Sequence, residues 1–159
     1  MLTPVKSKAI RTSGTFAIVA SKYNARYVDA MLRAAKKTLE KAGANVRIVC
    51  VPGAYEIPVV VARLARRSED EPLSAIICLG VILRGETVHA AHIGEAVSHA
   101  LMRIQTAHEI PVVHEVLLLE NRAQAAKRCM DKHHNRGTEA AQTALEMAQV
   151  MEALGTEKY

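Results

Sequence analysis

The chain contains no tryptophan, one phenylalanine and four tyrosines. So few flat rings argue against single-strand nucleic-acid binding, which interleaves aromatics with a basic groove. The net charge of +5 does not restore that reading, because Lys and Arg are spread over helix-like segments rather than clustered. A small phosphate-bearing molecule uses the same cations. Cysteine is scarce too. Cys50, Cys78 and Cys129 are odd in number and widely spaced, which excludes a disulfide framework and a zinc motif. Two of them lie in apolar runs, so they read as small buried hydrophobes. No apolar run approaches the roughly 18 residues of a membrane span. The basic, polar start "MLTPVKSKAIRTSG" lacks the apolar region of a signal peptide. The expectation is a cytoplasmic chain with neither nucleic acid nor membrane as partner. A P-loop is absent, as is a Gly-x-Gly-x-x-Gly turn after the first strand, so a dinucleotide is not expected.

What is present is a soluble globular composition, with 50% hydrophobic and 23% charged residues over 159 positions. That suits a single domain over 1–159 with a sizeable core. Apolar, β-branched runs at 15–21, 46–51, 73–83 and 111–119 read as buried strands. Between them come helical patterns. From Val28, the positions Met31, Leu32, Ala35 and Leu39 share a face, and a glycine at 43 stops the helix. "EIPVVVARLARR" is a helix with Pro58 in its first turn. Residues 88–108 carry Ile93, Val97, Leu101 and Ile104 on one face. "NRAQAAKRCM" is a short helix, "HHNRG" a loop and "TEAAQTALEMAQVMEAL" a final helix. Strand and helix alternate four times, which means an α/β fold with a four-stranded parallel sheet covered on both faces. Residues 1–14 are a loose tail or a strand lent to a neighbouring subunit, and 15–154 form the core.

Open parallel sheets bind ligands beyond the carboxyl ends of their strands. That rule selects 21–24, 52–56, 83–89 and the segment after the fourth strand. Tyr23 and Tyr55 fall in these loops, either stacked on a flat heterocycle or packed on a helix end. Gly85, Glu86 and Thr87 stand where a strand turns into a helix. Free N–H groups there suit a phosphate, and an ordinary N-cap is the plainer alternative. His89 is in the first turn, where an imidazole beside a phosphate loop is placed for proton transfer; a structural histidine is the rival reading. His92, Glu95 and His99 share one helix face, and a solvated or subunit-facing role is favoured over a metal site. His133 and His134 are read the same way. Arg128 follows the fourth strand and reads as a phosphate ligand or a surface ion pair. A phosphorylated regulator of similar architecture would need a carboxylate cluster at the strand ends, and only Glu56 is suitably placed.

"SKYN" after the first strand, "VPGAYEIP", "LGVILRGETVH", "IPVV", "QAAKR" and "NRGTEAA", in this order and spacing, resemble the lumazine synthase family of riboflavin biosynthesis over residues 15 to 154. The resemblance implies a flavodoxin-like three-layer αβα fold in homopentamers, which in some members form 60-subunit shells, with riboflavin synthase as a possible associate. It implies condensation of 5-amino-6-ribitylaminouracil with 3,4-dihydroxy-2-butanone 4-phosphate, without metal or cofactor. It makes Tyr23 the ring on the pyrimidine, where the family has Phe. Ala54, Tyr55 and Glu56 would hold the ribityl chain and uracil edge, and the backbone of Val81, Ile82 and Leu83 would read the pyrimidine. The N–H groups of Glu86 and Thr87 would bind phosphate, His89 would move protons, and Arg128 of a neighbouring subunit would be the main phosphate ligand. The chain departs from the family at Ala90, at His114 in place of a Phe against the pyrimidine, at the adjoining Glu115, at Leu118, and at Arg136 in place of Lys. A polar wall contributed by the neighbouring subunit is therefore expected. A catalytically weak flavin- or lumazine-binding shell is the alternative function.

Overall fold

Strands whose alternate residues are apolar on both sides need cover on both sides, and the helices supply it. The computed structural model describes residues 9–156. The order is β1 (Thr15–Ser21), α1 (Ala25–Ala42), β2 (Asn45–Val51), a 3-10 turn (Ala54–Glu56), α2 (Ile57–Arg67), β3 (Ala75–Leu83), α3 (His89–His108), β4 (Val112–Leu119), α4 (Arg122–Cys129) and α5 (Arg136–Thr156). All pairings are parallel and the strand order is β2-β1-β3-β4. On β1, Phe16 and Ile18 join α1, α4 and α5 in one core, while Ala17 and Val19 join α2 and α3 in the other. This is a flavodoxin-like three-layer αβα fold.

The order reverses between β1 and β3, so the loops after these two strands part and leave a crevice at the carboxyl edge. The edge strand β2 departs from the expectation of a sheet covered on both faces. With one neighbour, and with its outer side beyond the helices, it leaves Ile48 and Cys50 exposed. Cys78 and Cys129 are buried as expected. Residues 9–14, read as part of a tail, tie the amino ends of the layers together. Thr12 N–H donates to the Ala42 carbonyl, and Asn45 N–H to that of Gly14, both at 2.9 Å. The rest of that tail, 1–8, lies outside the described residues.

The last helix begins earlier than its apolar pattern predicts. "NRG" reads as loop because Arg and Gly are polar or breaking, yet Asn135 Oδ1 accepts the Gly137 N–H at 2.8 Å and starts the turn. Gly137 is required by close approach. A Cβ there would lie 2.0 Å from the Met31 carbonyl oxygen of α1. Gly137→Ala should therefore force α5 off α1, with a loss of about 1–3 kcal/mol of the kind overpacking causes. Denaturant unfolding at fixed protein concentration measures it, and an unchanged midpoint would show that the helices separate freely.

Candidate active site

Three strand ends are tied together by the backbone around β1's exit. Lys22 N–H donates to the Val51 carbonyl at 2.8 Å and Tyr23 N–H to that of Pro52 at 3.0 Å, joining the loops after β1 and β2. Asn24 stands in the left-handed region at φ 58°, which asparagine tolerates better than most residues. That turn aims its amide across the sheet, where Nδ2 donates to the Val81 carbonyl at 2.7 Å. Sequence reasoning passes over Asn24 as part of a turn. Its one signal is an asparagine immediately before a helical pattern. Past Gly53, the 3-10 turn buries Ala54 and leaves Tyr55 on the surface.

The cleft above these ends has a volume of about 1000 Å³, at the upper end of small-molecule sites. Tyr23, Ala54, Tyr55, Glu56, Val81, Ile82, Leu83, Gly85, Thr87 and His89 all line it, together with Asn24, His92 and Arg122. The two tyrosines keep 73% and 64% of their surface exposed, so neither is spent packing a helix end. A second cavity of about 870 Å³ lies at the opposite, amino edge of the sheet. Parallel sheets do not place their ligand loops at that edge.

His89 is the first residue of α3. Its N–H reaches Thr87 Oγ1 at 3.4 Å, which holds the helix start against the Gly85–Thr87 loop. The helical pattern puts His92 on a solvated or subunit-facing side. It is exposed but also lines the cleft, one turn beyond His89. Among the described residues no group of three His, Cys, Asp or Glu is arranged to hold a metal. Glu86 is not among the lining residues.

Arg128 and His114 are likewise outside this cleft. His114 on β4 receives the Val116 N–H on Nδ1 at 3.2 Å, which assigns the proton to Nε2. Nε2 then donates to Ser98 Oγ at 2.8 Å, and that hydroxyl donates to the Gly94 carbonyl at 2.8 Å. Partial desolvation holds the His114 pKa below the ordinary histidine value. With both nitrogens engaged, the ring face is what His114 has left to offer. The adjoining Glu115 points to the other side of β4. There its carboxylate is held by Arg136 through Nε at 3.0 Å and Nη2 at 2.9 Å. Arg136 Nη1 also reaches Glu139 at 2.6 Å. Burial raises the Glu115 pKa and outweighs the opposing pull of Arg136. The polar wall read from His114 and Glu115 is thus largely satisfied inside the chain. Two departures from the family pattern, Glu115 and Arg136, prove to be each other's partners.

A family model described as 6,7-dimethyl-8-ribityllumazine synthase matches residues 13–152. A Stenotrophomonas maltophilia protein of that name is 40% identical over 145 residues, covering 89% of this chain and 92% of the relative. Two further proteins of that name cover 90% of this chain and 93% of their own length. The one from Xanthomonas campestris pv. campestris is 37% identical, and the one from Xanthomonas euvesicatoria pv. vesicatoria 36%.

Proposed function

The chain belongs to the 6,7-dimethyl-8-ribityllumazine synthase family of riboflavin biosynthesis, and on that premise we propose that it condenses 5-amino-6-ribitylaminouracil with 3,4-dihydroxy-2-butanone 4-phosphate. The products are 6,7-dimethyl-8-ribityllumazine, phosphate and water. The observation that carries this reading is the single cleft in which two exposed tyrosines, the end of β3, the Gly85–Thr87 loop and His89 meet. A flat pyrimidine lies against Tyr23 with its edge along the backbone of Val81, Ile82 and Leu83. Ala54, Tyr55 and Glu56 hold the ribityl chain. The phosphate rests at the loop before α3, on N–H groups of Gly85, Glu86 and Thr87.

The chemistry asks little of the protein beyond placement and proton traffic. The ring amine condenses with the ketone by losing water, and phosphate leaves as a proton is withdrawn from the neighbouring carbon. The enol so formed becomes a ketone, and the ribitylamino nitrogen closes the second ring on that carbonyl with loss of a second water. Holding two substrates together removes much of the entropic barrier. His89, beside the phosphate loop, takes and returns the protons. The reaction needs no cofactor and proceeds in the cytoplasm. No described helix is long and apolar enough to cross a membrane.

The stacking position gives a direct test. Tyr23→Phe should leave KM for the uracil substrate nearly unchanged, because the ring and not the hydroxyl makes the contact. Tyr23→Ala should raise that KM about 10-fold, the scale of losing a base-stacking contact of roughly 1–3 kcal/mol. A severe defect in Tyr23→Phe would instead give the hydroxyl a role in the reaction.

The family resemblance implies an assembly in which a neighbouring copy completes the cleft. In the proposed pentamer, Arg128 and the ring face of His114 belong to the cleft of the adjoining copy, and pentamers can build a 60-subunit shell. His89→Ala and Arg128→Ala chains, each weakly active alone, should complement after unfolding and refolding together. About a quarter of randomly formed sites would hold both intact residues in a symmetric ring. Assembled mixtures without recovery would show that Arg128 does not act across a subunit boundary.

A further inference from the structure

The last paired rung of the sheet joins Leu83 of β3 to Leu119 of β4, and Arg84 N–H still donates to the Leu119 carbonyl at 2.8 Å. The chain leaves this rung in two directions. From Leu83 it enters the Gly85–Thr87 loop. From Leu119 it reaches α4 within three residues, and Arg122 is the first residue of that helix. The rung therefore sets Arg122 beside the loop that precedes His89. Arg122 lines the cleft with Gly85, Thr87 and His89. It also lines a shallower depression of about 290 Å³ next to it, shared with Asn24, Arg26 and Leu83.

Arg84, which follows β3 at this edge, is paired with Glu120 at 3.1 Å. Arg122 makes no ion pair among the described residues. Asn121 Oδ1 accepts the Gln124 N–H at 2.9 Å and fixes the start of α4 from which Arg122 projects. An exposed guanidinium with no carboxylate partner, at the wall of a cleft that ends in free N–H groups, suits a phosphate.

We propose that Arg122 is a phosphate-binding residue of the cleft, supplied by the same subunit as His89; the inference rests on the synthase reading above. It gives each cleft a cation of its own, in addition to any that a neighbouring copy brings. Arg122 contacts the phosphate group and not the pyrimidine, which lies toward Tyr23.

The test compares Arg122→Gln and Arg122→Lys in the full chain. The residue is exposed, so both variants should fold as the wild type does. In Arg122→Gln, KM for the phosphorylated ketone should rise about 10-fold, the scale of losing a charge-assisted hydrogen bond. KM for the uracil should stay within about 2-fold, and Arg122→Lys should recover most of the loss. Inorganic phosphate titrated by phosphorus-31 NMR reads the same site without turnover, and its Kd should weaken to a similar extent. If the wild type makes no lumazine yet binds phosphate through Arg122, the synthase reading fails and the Arg122 site stands. If the wild type turns over and Arg122→Gln matches it in both phosphate readouts, the Arg122 site is overturned and the synthase reading stands. A rise in KM for the uracil alone also overturns it. Neither turnover nor phosphate binding in the wild type overturns both.

Discussion

His89→Ala should lower turnover by about 10- to 1,000-fold, the upper part of which is the usual reach of general acid–base help. The reason is placement. α3 begins at His89, its N–H faces Thr87 Oγ1, and its side chain lines the cleft with Gly85 and Thr87. In the proposed reaction proton removal and loss of phosphate occur within reach of one another, and His89 is the imidazole next to the Gly85–Thr87 loop. His92 lines the same cleft one turn further along, away from the loop, so His92→Ala should change kcat little. Steady-state rates at saturating substrates compare the two. Equal losses would mean that the two rings act as one unit and that proton transfer is not the work of His89 alone.

The second large effect is on stability. Arg136→Met removes the partner of a nearly buried carboxylate that accepts two hydrogen bonds from it. Leaving such a charge unpaired costs about 3 kcal/mol or more. The cost should depend on pH in a defined direction. Burial already holds the Glu115 pKa above its ordinary value of 4.5, and the Arg136 guanidinium is the main group opposing that rise. A carboxyl with a raised folded pKa contributes its full stability below the unfolded pKa and loses it as pH rises through the folded one. Without Arg136 the folded pKa moves higher still, so the loss on raising pH is larger. The gap between variant and wild type should be small near pH 4.5 and widen toward neutrality. Denaturant unfolding at several pH values and one protein concentration measures it. A gap that does not change with pH would show that Glu115 is not the group left unpaired.

The four strands and five helices are legible in the sequence because apolar periodicity is strong where burial is complete. β1, β3 and the inner faces of α1 and α3 follow it closely. The carboxyl-edge rule then draws Tyr23, Tyr55, Thr87 and His89 to one place. What the sequence leaves open depends on partners distant in the chain. Ile48 and Cys50 have strand-like neighbours, and only the strand order makes β2 an edge. Gly137 looks like a breaker until the Met31 carbonyl is seen against it. Glu115 and Arg136 stand 21 positions apart, and nothing local marks them as a pair. Arg122 is hidden for the same reason, since it enters the cleft through the pairing of β3 with β4. Arg128 and His114 lie outside a single chain's cleft, where only the family resemblance connects them to the substrate.

Turnover separates a cleft that converts the two proposed substrates from one that merely holds a flavin or a lumazine. Both products can be followed in one sample, with free phosphate measured by a coupled assay and the lumazine by its absorbance. Phosphate and lumazine should appear together in equal amounts, over many turnovers, only when both substrates are present. Tight binding of riboflavin or lumazine without release of phosphate would contradict the proposed conversion.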